Sequence, residues 1–374
     1  MSFFADHVIP AVRTSLRPSM RLFLSADIVG STAYKQRQSD SERWFSVVMR
    51  FYRDAEGHFL KQWQSRAARA SDPAVRTELF GDEPPQLWKT IGDEVVFTQR
   101  VEQPWQVASC VDAWIEALNM MRDELTKEDA SLDVKSSAWL ADFPLRNREV
   151  GLRVTSEELE EPEDLGNANQ VRLAAYYGGK AGFVRDFIGP SIDTGFRIGT
   201  LASPRRLAIS LELAHVLSGV YGENLNARSM PAQVPKVQAP RFFYDGADPL
   251  KGVMGGVPYP RFWLHVGEDP LHEHEDALLG RFPAPVDIVN RYTSGFIQQY
   301  PEQFCAGLPW WMLPVPASYR HFCAGLLDQL AREEARLAEA EVVRARETRF
   351  GLTPDEDPEK LLGPEFDLEL RPQT

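Results

Sequence analysis

Hydrophobic and polar positions along the chain alternate between two periods. Met20 to Ile28 (MRLFLSADI) is an apolar run that stops at Gly30-Ser31-Thr32, and from Tyr34 to Phe59 apolar residues recur at helical spacing. A strand feeding a helix is expected. Residues 62–86 are polar and contain Pro73, Pro84 and Pro85, which reads as a solvated connection. In LWKTIGDEVVFTQRV two short apolar runs are parted by Gly92-Asp93, the pattern of a β-hairpin turning at those two residues. Trp105 to Leu125 has helical periodicity, Ser131 to Phe143 alternates as a strand, and Asn147 to Val154 suggests another.

Further along, Gly182 to Ile188 reads as a strand, Ile192 to Ser203 begins a helix, and Arg206 to Ser210 is a strand followed by a helix. Arg241–Tyr244 and Arg261–Val266 are expected to pair as a closing hairpin. Between Ser156 and Asp164 the run SEELEEPED is a solvated loop. After about residue 280 the character changes: WWMLPVPASY is aromatic and Pro-rich, Ala317 to Thr348 reads as one long helix, and the last 25 residues are acidic and broken by prolines. The expected division is a domain over 1–280, with its core at about 20–266, and an accessory extension over 281–374.

Composition narrows the function. The 374 residues are 43% hydrophobic, enough for a core, and 41 basic against 54 acidic residues give a formal charge of −13. Such a surface repels a phosphate backbone, so a dedicated nucleic-acid binder is not expected. Cys110, Cys305 and Cys323 have neither CxxC spacing nor an even count, so no disulfide framework or thiolate zinc site is suggested. No stretch approaches eighteen apolar residues and the start lacks an uninterrupted apolar segment. A soluble, cytoplasmic protein without membrane contact is the expectation.

Candidate chemistry lies in three motifs. Asp27-Ile28-Val29-Gly30-Ser31-Thr32 sets a carboxylate at a strand end, before a turn whose backbone N–H groups can face an anion. Lys89-Thr90-Ile91-Gly92-Asp93-Glu94 sets a second carboxylate at a hairpin tip; if strands 20–28 and 95–98 are neighbours, Asp27 and Asp93 converge and can hold two Mg²⁺ or Mn²⁺ ions. The third is Asp186-Phe187-Ile188-Gly189-Pro190-Ser191-Ile192-Asp193-Thr194-Gly195-Phe196-Arg197. There Asp193 and Arg197 lie four apart on one helical face, where an ion pair is the plain explanation. His272-Glu273-His274-Glu275 lacks the HExxH spacing of a metal site, and Trp310-Trp311 reads as packing.

In order and spacing, DIVGST, KTIGDE and DFIG with its following Asp and Arg resemble the class III nucleotidyl cyclases over residues 20 to about 266. The resemblance implies an α+β fold: a ferredoxin-like βαββαβ domain with insertions and a helical C-terminal extension, assembled as a head-to-tail homodimer. It implies that Asp27, Asp93 and the backbone of Ile28 hold two Mn²⁺ or Mg²⁺ ions. Lys89 and Asp186 would read the base, Arg197 would stabilise charge at the α-phosphorus, and Lys251 would hold the triphosphate. Asp193 stands where the family has Asn, which puts that position's hydrogen-bonding role in question. The metal acids come from one subunit and the base reader and arginine from the other.

Guanylate cyclases of the family carry Glu at the position of Lys89, so GTP is disfavoured. The Lys89–Asp186 pair, one donor-only and one acceptor-only group, suits uracil, cytosine or adenine alike, and pocket size must decide. FLSADIVGSTAYK, LWKTIGDEVVF, SLDVKSSAWLADFP and DFIGPSIDTGFR look like the bacterial pyrimidine cyclases of Pycsar antiviral defence. That likeness favours a uridylate cyclase converting UTP to cyclic UMP, its product read by a separate cyclic-nucleotide effector; cytidylate or adenylate cyclisation is the alternative. From another class, a catalytically silent nucleotide-binding regulator is the competing expectation.

Overall fold

A computed structural model describes residues 19–37, 41–154, 165–222, 239–267 and 270–304, with scattered positions between 321 and 343. The core motif starts with β1 (Ser19–Val29), followed by α1 (Ser31–Arg37), α2 (Ser41–Ala67) and α3 (Pro73–Phe80). Then come β2 (Gln86–Ile91), β3 (Glu94–Val101), α4 (Pro104–Glu128) and β4 (Asp133–Phe143). β1 pairs antiparallel with both β3 and β4, and β2 with β3, so the four strands stand in the order β2-β3-β1-β4. With α2 and α4 as the crossovers, this is a ferredoxin-like βαββαβ arrangement in an α+β fold.

An inserted hairpin of β5 (Arg148–Arg153) and β6 (Phe183–Ile188), joined through α5 (Leu165–Tyr177), forms a second, two-stranded sheet. The main sheet is extended past β4 after α6 (Pro190–Gly199) by β7 (Arg206–Ile209), which is parallel to β4. After α7 (Leu211–Tyr221) come β8 (Phe242–Pro249) and β9 (Pro258–His265), the expected closing hairpin, completing seven strands in the order β2-β3-β1-β4-β7-β9-β8. α8 (Pro270–Leu278) and α9 (Val286–Gln299) follow.

Alternation along β1 explains the two layers. Met20, Leu22, Leu24 and Ala26 alternate with Phe23 and Ser25, so one set meets the helices and the other meets the insertion. On the helical side Phe59 of α2 packs edge-on against Phe97 of β3 and Trp114 of α4, with ring centres 5.4 and 4.7 Å apart. On the opposite side Phe187 of β6 packs on Phe23 at 5.2 Å and α6 lies over β4.

Two expectations change. The helix expected over Tyr34–Phe59 is two helices, and the second runs on to Ala67 because Val47, Phe51, Ala55, Phe59, Trp63 and Ala67 keep one buried stripe. Residues 62–86 are therefore not a bare solvated connection: they hold the end of α2 and all of α3. Asp72 caps α3 by accepting from the Ala74 N–H at 2.8 Å, Pro73 starts it, and Leu79 and Phe80 are buried. SEELEEPED, Trp310-Trp311 and the acidic tail lie outside the described residues, and the scattered described positions of 321–343 are helical. Beyond residue 280, α9 packs on α7 and carries Val289 into the main core, which Phe304 also joins. No helix among the described residues is long and apolar enough to cross a membrane.

Candidate active site

The β1–β3 register sets Asp27 opposite Glu94, so Asp93 falls one residue beyond, in the turn where Gly92 has φ +64°. Each aspartate meets a lysine: Lys135 Nζ of β4 is 3.0 Å from Asp27 Oδ2, and Lys35 Nζ of α1 is 3.6 Å from Asp93 Oδ1. Neither lysine was legible as a site residue. Lys135 is polar in an alternating strand, and only the β1–β4 pairing, which aligns it with Asp27, reveals its role. Asp93 Oδ2 is buried without a partner. The hairpin turn is tied to α2 by Tyr52, whose hydroxyl donates to the Gly92 carbonyl.

Glu94 makes a third carboxylate in this corner. Burial pushes its carboxyl up, the charges of Asp27 and Asp93 add to the rise, and a Ser25 hydrogen bond and Lys135 oppose it. Three carboxylates against two ammonium groups, one with an orphaned buried oxygen, form a hard-oxygen donor set of the kind Mg²⁺ and Mn²⁺ accept. Among the described residues no three acidic, His or Cys side chains close on one point. A cation here would draw its remaining ligands from phosphate oxygens and water, as Mg²⁺ commonly does. Ile28 itself is buried, and in the β1–β4 ladder it stands opposite Val134.

Lys89 and Asp186, 97 residues apart, meet directly: Lys89 Nζ donates to Asp186 Oδ1 at 2.9 Å. Trp88 Nε1 donates to the same oxygen at 3.0 Å and the Phe187 N–H at 2.9 Å. Sequence reasoning missed Trp88, its only signal being its position beside Lys89. The pair lies on the sheet face covered by α6, since Phe196 is 5.9 Å from the Lys89 ammonium.

Asp193 and Arg197 are both exposed on α6, and among the described residues no ion pair joins them. The expected i,i+4 bridge is absent, which leaves the guanidinium available. Lys251 is exposed just beyond β8. Because β9 runs antiparallel to β7 and β7 parallel to β4, the β8–β9 tip lies at the opposite end of the strands from Asp27. One chain thus sets Asp27, Asp93 and Glu94 at the same end of the β1–β3 pair without closing them on one point, and joins Lys89 with Asp186, but leaves Lys251 remote from both.

A small cavity of about 160 Å³ opens beside Asp27, lined by Ser25, Glu94, Lys135, Phe196 and Thr200. Pockets for drug-sized ligands are about 300–1,000 Å³, so this space is too small for a nucleoside triphosphate. The His272–Glu275 cluster forms no metal site among the described residues: Glu273 pairs with Arg241 at 2.7 Å and Glu275 with Arg205 at 3.1 Å.

No protein-family model and no curated protein matches the chain. Among solved structures it is similar to the adenylyl cyclase CyaB from P. aeruginosa, at 10% identity and a TM-score of 0.43 over 68% of this chain and 97% of that one. It is also similar to the guanylate cyclase domain of RhGC from Catenaria anguillulae in complex with GTP, at 11% identity and a TM-score of 0.42 over 67% and 100%. A third similar structure is the guanylyl cyclase Cya2, at 14% identity and a TM-score of 0.35 over 68% and 95%.

Proposed function

We propose that the chain is a nucleotidyl cyclase, converting a nucleoside triphosphate to its 3′,5′-cyclic monophosphate and pyrophosphate at sites shared between two copies. The observation that carries this reading is the Lys89–Asp186 contact at 2.9 Å between β2 and the inserted β6, together with an acidic corner on the main sheet whose Asp93 keeps an unpartnered buried oxygen. A base reader and an acidic corner are what a nucleotide's two ends need, while the cavity at Asp27 within one chain is too small for the substrate. A second copy offering its Lys89–Asp186 face to that corner supplies the missing space. Exposed Leu87 and Ile91 of β2 and Val184 and Ile188 of β6 flank the pair and give such a contact apolar surface.

In this mechanism Lys89 and Asp186 hold the base edge, which fixes the ribose, and the 3′-oxygen attacks the α-phosphorus in line as the bond to the β-phosphate oxygen breaks. Arg197 meets the charge that spreads over the α-phosphate, and Lys251 holds the leaving pyrophosphate. Asp27, Asp93 and the carbonyl of Ile28 would hold Mn²⁺ or Mg²⁺, which when bound acidifies the 3′-hydroxyl and neutralises the triphosphate. Lys135 and Lys35 keep the two aspartates neutralised until then. Asp193 on α6 takes the place of a neutral side chain beside the ribose. UTP is the favoured substrate, cyclic UMP then serving as an antiviral second messenger for a separate effector, with CTP and ATP as alternatives.

The second reading, a silent nucleotide-binding regulator, is favoured by Asp27 being already engaged by Lys135 at 3.0 Å. Turnover separates the two. Purified protein with Mn²⁺ and each of the four ribonucleoside triphosphates should yield cyclic UMP and pyrophosphate by chromatography, and Asp27→Ala should abolish the product. Tight nucleotide binding with no cyclic product from any triphosphate would establish the regulator instead.

A further inference from the structure

Strict alternation along β2 would turn Trp88 away from the face that carries Lys89. The strand does not alternate there. Its register with β3 slips between Leu87, opposite Phe97, and Lys89, opposite Val96, so Trp88 is the extra residue of a β-bulge. Bulges re-aim side chains, and this one delivers two neighbours in sequence to one carboxylate. Trp88 Nε1, Lys89 Nζ and the Phe187 N–H all end on Asp186 Oδ1, at 3.0, 2.9 and 2.9 Å. Asp186 Oδ2 accepts nothing among the described residues.

A carboxylate held by one flexible ammonium can swing with it. Two further donors, one from the backbone and one from a rigid ring, remove that freedom. The indole restrains Lys89 as well, because the ammonium lies 4.1 Å from its ring centre in a cation–π contact. The indole is itself held, edge-on to Phe23 and Phe187 with ring centres 5.1 Å away in both cases, and tilted against Phe196 at 6.1 Å. A single side chain therefore fixes both members of the pair, and the aromatic core fixes that side chain.

We propose that Trp88 is a specificity-determining positioning residue, which sets the Lys89 ammonium and the free Asp186 Oδ2 at the spacing that selects one nucleobase edge, an acceptor beside a donor. This inference rests on the nucleotide reading above. Trp88 acts through its N–H and its ring face, so two replacements test it: Trp88→Phe, and substitution of Trp88 by β-(3-benzothienyl)alanine, which keeps the bicyclic shape and deletes only the donor. With all four ribonucleoside triphosphates, the ratio of kcat/KM between the preferred and next-best substrate should fall by about tenfold in both. The loss should come through KM, with kcat on the preferred substrate within about twofold of wild type.

A purely structural indole would lower activity on every triphosphate alike and leave that ratio unchanged. An unchanged ratio in either folded variant overturns the inference while leaving the cyclase reading in place. Calorimetric titration of the same proteins with each triphosphate and Ca²⁺ reads selection without turnover. Selective binding by the wild type that is lost in the variants, with no cyclic product from any of them, would retain this inference and defeat the cyclase. A wild type that binds none of the four overturns both.

Discussion

Gly195 lies inside α6 with its Cα against the Trp139 indole, so a Cβ there would fall within the ring's van der Waals surface. Alanine would gain about 1 kcal/mol of helix propensity. Overpacking against a side chain that is fully buried costs more, about 3 kcal/mol. Gly195→Ala should therefore lose about 2 kcal/mol in urea unfolding, although helix propensity alone argues for the opposite sign. The motif Asp193-Thr194-Gly195-Phe196-Arg197 gave no sign of this, because the need for glycine comes from a strand more than fifty residues earlier. Lys89 and Asp186 were singled out because two short motifs resemble a family in register. Trp88 was not: a bulge is invisible to a reading based on a period of two. Lys135 escaped for a related reason, since its partner Asp27 is set by strand pairing and not by nearby sequence.

Elements were legible where one period ran unbroken. The hairpin at Gly92-Asp93, the helix α4 and the strand β4 stand where their patterns place them. α3 was lost because Pro73, with Pro84 and Pro85 beyond the helix, read as a breaker, whereas Pro73 after the Asp72 cap is a helix start. At this scale the docking of α9 on α7 carries a pH signature. His215 of α7 lies half-buried against α9, its Nδ1 2.9 Å from Thr293 Oγ1, and desolvation lowers its pKa from 6.5 to about 4. A depressed imidazole is neutral when folded and takes up a proton more readily when unfolded. Its contribution is whole above pH 6.5 and is lost as pH falls toward 4, amounting to about 3 kcal/mol. Denaturant titrations from pH 7 to pH 4 should show this fall in the wild type, and His215→Gln should flatten it. Equal slopes in the two proteins would locate the acid sensitivity elsewhere.

Over the whole molecule, charge and fold were legible in the sequence, and the head-to-tail pairing came only from the family resemblance. The acidic corner lies on the main sheet and the Lys89–Asp186 pair bridges that sheet to the inserted β5–β6 hairpin, while the cavity beside Asp27 and α6 holds about 160 Å³. Lys251 lies at the far end of the strands. On the proposed reading a single chain lacks room for its substrate, and a head-to-tail pair would supply it, each copy giving its Asp27–Asp93 end to the other's Arg197 face. The most direct measurement of that claim is complementation. Asp27→Ala and Arg197→Ala chains, each inactive alone, are mixed in equal amounts, allowed to exchange subunits, and assayed for cyclic nucleotide. Half of the resulting dimers should be mixed, each with one intact site, restoring about a quarter of wild-type activity. No recovery after verified exchange, or full activity in either variant alone, would contradict the shared site.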